Sequence, residues 1–262
     1  MGDCDIPARS ERMSIPFQDL GLLVAALLSA AVTSTAGVSS SVLLMVIGLM
    51  WVAPIKLIVL IALYSLTINL VRLKGTWGSI DGKAMGWLLL GAIPGAWLGA
   101  QVLVMLPQPL LRQVVGAIAL VYVVLELLHD LLAASPNVRI GSPFWLPMVG
   151  LLYGGVSGTC GLQGLSRMPF LARFGVIRRK VLGTAALAAV LVSVTKLITY
   201  QSLDLFTPRR WMFGGLLVLA SWMGAATGKD LFRSLAGKAY QRVLLVVVAA
   251  LAVSLILRPS GY

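Results

Sequence analysis

The sequence predicts an all-α polytopic membrane protein built from two homologous halves, on three observations. Of 262 residues, 59% are hydrophobic and only 11% charged, with a mean hydropathy of +0.95. A soluble domain carries about 25% charged residues, so a chain this apolar needs lipid as its solvent. The apolar residues fall into eight runs, most near the ~20 residues that carry a helix across a bilayer. The first and fifth runs are longer and are each broken by a cluster of small residues.

The first run, Leu20–Pro54, is interrupted at Thr33-Ser34-Thr35-Ala36-Gly37-Val38-Ser39-Ser40-Ser41. Three uninterrupted runs follow: Ile55–Val71, Ala84–Leu106 and Leu110–Leu132. The fifth, Phe144–Phe174, is interrupted at Gly154-Gly155-Val156-Ser157-Gly158-Thr159-Cys160-Gly161-Leu162-Gln163-Gly164. Val181–Tyr200, Trp211–Thr227 and Val243–Leu257 complete the set. Gly and Ser weaken a helix interior, so each interrupted run reads as two half-helices around an unwound turn. The expected organisation is a tail at 1–19, one membrane repeat at 20–132, a linker at 133–143, a second repeat at 144–258 and a tail at 259–262.

The halves resemble each other. Val32-x-x-Thr35-x-Gly37 recurs as Val156-x-x-Thr159-x-Gly161, Gly48 as Gly175, and Gly95-x-x-x-Gly99 as Gly224-x-x-x-Gly228, offset by 124, 127 and 129 residues. Repeated halves with matching interrupted segments point to secondary-transporter architecture.

The net charge of +12 comes from 21 Lys and Arg against 9 Asp and Glu. These bases sit mostly between apolar runs, so they read as topology signals rather than a nucleic-acid surface. Eight full crossings divide them almost equally between the two sides. If both interrupted runs instead return to their own side, an excess lies inside, including Arg72, Lys74, Lys83, Arg178, Arg179 and Lys180. Each half then has three crossings, an odd number, and the halves become inverted repeats.

Cys4, Cys160 and the single His129 form no disulfide framework or metal spacing. The N-terminus shows no cleavable signal pattern. No phosphate-binding loop, HExxH or GxSxG motif occurs, so neither an enzyme, a cofactor, a metal nor ATP drive is expected.

The chemistry is expected at the two breaks. Irregular backbone at membrane depth is tolerated only inside protein or beside a water-filled cavity. Half-helix N-termini there offer free N–H groups and a positive dipole end to an anion. Hydroxyls of Thr35, Ser39, Ser40, Ser157 and Thr159, with Gly37 and Gly161 at the turns, add neutral donors; close helix packing is the competing reading for each small residue. Two cations lie inside apolar runs: Arg167 in Gly164-Leu165-Ser166-Arg167-Met168-Pro169, and Lys196 in Val194-Thr195-Lys196-Leu197. Charges at membrane depth are functional suspects, although Lys196 lies close enough to Tyr200 to snorkel. Asn69 aligns with Lys196 between the halves, and Gln163 falls in the second break; either can contact substrate or link helices. Glu126, His129 and Asp130 cluster at the end of the fourth run, as a proton path or an interfacial end. The expected substrate is a small anion. The other expected partners are the lipid bilayer and, as one option, a second copy of the chain; nucleic acid is not expected. A membrane accessory protein and an anion channel are the alternative readings.

The duplicated four-segment pattern, the two breaks, the stretch Gly175-Val176-Ile177-Arg178-Arg179-Lys180-Val181-Leu182-Gly183-Thr184 and the helix near Thr195–Tyr200 resemble the TauE/SafE family of sulfite and organosulfonate exporters, the TSUP permeases. The resemblance covers nearly the whole chain. It implies multi-pass transport of sulfur oxyanions or sulfonates, such as sulfite or sulfoacetate, across the bacterial inner membrane. Where family members often carry Gly-Gly-Pro-Pro or Gly-Gly-Gly runs, this chain reads Gly164-Leu165-Ser166-Arg167-Met168-Pro169 and Gly37-Val38-Ser39-Ser40.

Overall fold

The computed structural model describes residues 17–36, 39–132, 143–163, 178–231 and 238–257. Their regular structure is entirely helical: α1 (Phe17–Ala36), α2 (Ser40–Gly48), α3 (Pro54–Thr76), α4 (Gly82–Met105), α5 (Gln108–Leu132), α6 (Leu146–Cys160), α7 (Arg178–Ser202), α8 (Pro208–Leu231) and α9 (Lys238–Leu257). Among the described residues, six helices are long and apolar enough to span a bilayer: α3, α4, α5, α7, α8 and α9. The shorter apolar stretches belong to the two interrupted runs. Leu90, Met105, Leu152, Ile198, Val246 and Leu257 are all more than 60% exposed. Such an outward apolar surface suits lipid, so the chain is a multi-pass membrane protein.

Local signals set several helix ends. Pro54 opens α3 where its missing N–H costs nothing. The Asp81 side chain caps α4 by accepting from the Ala84 amide at 3.2 Å. α6 ends at Gly161, whose φ of 69° is left-handed. Two expectations need correction. The seventh run is longer than Trp211–Thr227, because Pro208 opens α8 ahead of Arg209 and Arg210, and Arg210 donates back to the Leu205 carbonyl. The second break does not start at Gly154; α6 continues through Gly154, Gly155 and Gly158 to Cys160.

The physical reason is the contact between α6 and α4. A Cβ on Gly154 would lie 2.1 Å from the Ala92 carbonyl oxygen, and one on Gly158 2.3 Å from that of Ala96. On α4, a Cβ on Gly95 would sit 2.3 Å from the Leu151 oxygen, and one on Gly99 2.2 Å from that of Gly155. Each helical glycine costs about 1 kcal/mol in propensity, but here the glycines let two backbones meet. Gly224 and Gly228 of α8 do the same against Leu27 and Ala31 of α1. The interrupted run of each half therefore packs on the second uninterrupted run of the other half.

Contacts also fix helix direction. Asp19 meets Lys56, and Ser29 meets Tyr64, so α1 and α3 run the same way. α2 returns between them: Ser40 lies near the Tyr64 hydroxyl, whereas Gly48 lies against Leu57 near the start of α3. α7 runs opposite to α3, with Gly183 beside Thr76 and Ala186 and Val190 against Leu73. α9 runs opposite to α5, with Ala252 and Ile256 at Gly116 and Gln241 at Glu126. α4, α6 and α7 share one direction, through Asp81 with Thr184 and through the glycine rungs above. α3 and α7 are the most enclosed of the spanning helices.

Candidate functional site

The site grows from α3 and α7. Tyr64, near the middle of α3, is fully buried. Its hydroxyl pairs with Ser29 of α1 at 3.0 Å and lies near Ser40 of α2. A second buried tyrosine, Tyr200 of α7, donates its hydroxyl to the Gly158 carbonyl of α6. A buried phenol needs a partner for its polar tip. Each tyrosine finds one on an interrupted run and ties that run to a central helix.

Ser39 and Ser40 of the first break are buried. Ser39 Oγ pairs with Ser41 Oγ at 2.9 Å, and the Ser39 amide donates to Tyr122 Oη of α5 at 3.1 Å. Thr35 lies in the last turn of α1 with its side chain outside the described residues; Gly37 and Arg167 also lie outside them.

The second break is the better-defined half of the site. Gly161 turns the chain off α6 and lies against Ile58 of α3. Gln163 then bridges the two central helices. It accepts from Asn69 Nδ2 at 2.6 Å and donates from Nε2 to Ser193 Oγ at 2.6 Å. Asn69 also donates to the Ser65 carbonyl at 2.7 Å, and Ser193 to that of Ala189 at 2.8 Å. Asn69 and Gln163 are thus the interhelical linkers that one of their two sequence readings anticipated.

Lys196 lies on the same face of α7, one turn from Ser193 and one from Tyr200. Both neighbours contact the 158–163 segment, so Lys196 is bracketed by the second break. It is 0% exposed, and its Nζ has no hydrogen-bond partner. Snorkelling is therefore not what this side chain does. Ser157 Oγ, one residue before the Tyr200 contact, is likewise buried without a partner. An ammonium offers three donors, and an uncompensated buried charge costs several kcal/mol. Lys196 and Ser157 are thus two buried donors near the second break whose cost an anion would offset.

Thr159 stands apart. Its hydroxyl donates to the Gly99 carbonyl at 3.1 Å and to that of Gly155 at 2.9 Å, in the α4–α6 contact. Glu126 accepts from Gln241 at 3.1 Å, joining α5 to α9; the side chains of His129 and Asp130 lie outside the described residues. Among the described residues, no group of three His, Cys, Asp or Glu side chains could hold a metal. Sequence reading missed Tyr64, Tyr122, Ser193 and Tyr200. The spacing of Ser193, Lys196 and Tyr200 on one helical face was the available signal for two of them.

A family model described as "Sulfite exporter TauE/SafE" matches residues 22–255. No curated protein and no solved structure matches the chain.

Proposed function

The chain belongs to the Sulfite exporter TauE/SafE family of membrane transporters, and from that premise we propose that it exports small anions, sulfur oxyanions or organosulfonates such as sulfite or sulfoacetate, from the bacterial cytoplasm across the inner membrane. The observation that carries this reading is Lys196, fully enclosed with its Nζ unpartnered beside the second break. Ser157 is a second orphaned donor at the same turn. Ser39 and Ser40 are offered as neutral contacts from the first break, and Arg167, next in sequence after the second break, as a second cation; Asn69 and Gln163, whose amides bond each other here, contact substrate only where that link opens. Thr35 and Gly37 of the first break are offered as further substrate contacts, and Gly161 shapes the turn after α6.

The halves act as inverted repeats. The opposed directions of α3 and α7, and of α5 and α9, support this, as does the reciprocal packing of α1 on α8 and of α6 on α4. Substrate binds between the breaks, and rocking of one half against the other gives alternating access. Outward movement of an anion is favoured by an inside-negative potential, at about 2.3 kcal/mol per charge per 100 mV.

The test is charge movement in proteoliposomes on a solid-supported membrane, challenged with sulfite, thiosulfate, sulfoacetate, sulfate and chloride. Saturable currents for a subset of these anions, lost in Lys196→Met, are expected. Absence of both current and labelled-anion counter-flow from folded protein would turn the reading toward an accessory protein. Flux without counter-flow would turn it toward a channel.

A further inference from the structure

The symmetry between the halves is broken at one pair of positions, and the break has a direction. Alignment of the second helices matches Asn69 to Lys196, and alignment of the breaks matches Ser39 to Gln163. The operation that carries α3 onto α7 therefore carries the pair Asn69–Gln163 onto the pair Lys196–Ser39. The first pair is joined, at 2.6 Å. The second is not: Lys196 Nζ has no partner, and Ser39 Oγ is turned to Ser41 at 2.9 Å. All four residues are at most 6% exposed, so competition from water does not explain the difference.

Each break is also held within its own half, although by helices that are not equivalent. Gln163 is anchored within its own half by Ser193 of α7. Ser39 is anchored within its own half by Tyr122 of α5. Each break is thus fastened to its own half, and the pair in question is the link across halves.

We propose that Asn69–Gln163 and Lys196–Ser39 are alternating latches. One is closed here; in the opposite-facing state it opens, and the Lys196 ammonium donates to the Ser39 hydroxyl. This rests on the reading of the chain as an alternating-access carrier. Two states related by approximate symmetry interconvert readily only if each replaces what the other gives up. One cross-half hydrogen bond is exchanged for another, the second strengthened by the charge on its donor. The latch also gives Lys196 somewhere to go once it has released its anion.

The test uses the full chain in a Cys4→Ser, Cys160→Ala background. Asn69→Cys with Gln163→Cys forms one disulfide pair, and Ser39→Cys with Lys196→Cys the other. Oxidation in proteoliposomes is expected to close both, in separate proteins. Amide hydrogen exchange should then show opposite ends protected: the 49–53 connection in one, the 77–81 connection in the other. Failure of the second pair to close in folded protein, or the same exchange pattern from both, overturns the proposal. A milder variant guards against misfolding. Asn69→Ala, with Cys160 retained, should change the alkylation rate of this buried thiol about fivefold; an unchanged rate also overturns it. Neither readout needs an anion. Alternating latches without anion currents would sink the substrate assignment alone, and anion currents without the second disulfide would sink the latches alone.

Discussion

Lys56 Nζ donates to Asp19 Oδ1 at 2.6 Å, binding the first turn of α3 to the first turn of α1. Two helices whose starts touch lie at the same end of the molecule, so the chain between them has gone in and come back. The α1–α2 segment is therefore a hairpin, with α2 as its returning arm. For the first run, this contact supports the re-entrant arrangement over a full crossing.

Labelling tests the hairpin. In a background lacking Cys4 and Cys160, Trp51→Cys should react from the same side as an N-terminal epitope, and Gly78→Cys from the other. Reaction of Trp51→Cys from the side opposite the epitope would mean that the first run crosses the membrane.

The Asp19–Lys56 pair is partly enclosed, with Asp19 only 4% exposed, and Lys56 also sits 5.8 Å from the centre of the Phe213 ring. Asp19→Ala leaves the ammonium without its acceptor and is expected to cost about 1–3 kcal/mol. A lowered thermal midpoint in detergent is the measurement. Asp19→Ala combined with Lys56→Met should recover part of the loss, because no partner is then left unmet.

Lys196→Met should separate stability from function. A methionine fills a similar volume without a buried charge, so the thermal midpoint is expected to rise, by about 1–4 kcal/mol of stability. Anion binding should weaken about 100-fold, as when one charge of a buried pair is removed. A variant with full transport would remove Lys196 from the site.

The glycine contacts give the sharpest structural prediction. Gly154→Val or Gly95→Val forces α4 and α6 apart, with an expected loss of about 3 kcal/mol or more. Little monodisperse protein should be recovered by size-exclusion chromatography. Gly86 and Gly215 face open space within helices, so alanine there should be neutral or stabilising by about 0.5–1 kcal/mol. Equal tolerance at all four positions would contradict the close backbone packing.

Thr159→Val removes a hydroxyl spent on the Gly99 and Gly155 carbonyls. The expected effect is a stability loss of about 0.6 kcal/mol, typical of such bonds in membranes, with anion affinity unchanged. A fall in affinity at unchanged stability would return Thr159 to the substrate contacts.

The helices were legible because periodicity is not needed to find a run of Leu, Val and Ile that lipid can solvate. The glycines were harder. Gly95 and Gly99 form a packing face, whereas Gly154 and Gly158, which form the facing one, read as a break. Propensity is a local property, whereas the carbonyls of Ala92 and Ala96 that make those glycines worthwhile come from the other half of the chain. Lys196 was visible as an oddity, yet only burial could decide between a side chain reaching for an interface and one held without a partner. Tyr64 and Tyr200 gave no signal, because a tyrosine in an apolar run looks the same whether its hydroxyl ties two helices together or faces headgroups.

The reciprocal glycine contacts also constrain the order in which the protein can be made. Helix α1 leaves the ribosome first, but the glycines that receive it, Gly224 and Gly228, are among the last to be synthesised. Its small-residue face must wait in the membrane while almost the entire chain is inserted, and α4 must likewise wait for α6. The nascent first half is thus an incomplete object that depends on insertion machinery or lipid to shield it, and the two halves finish folding together.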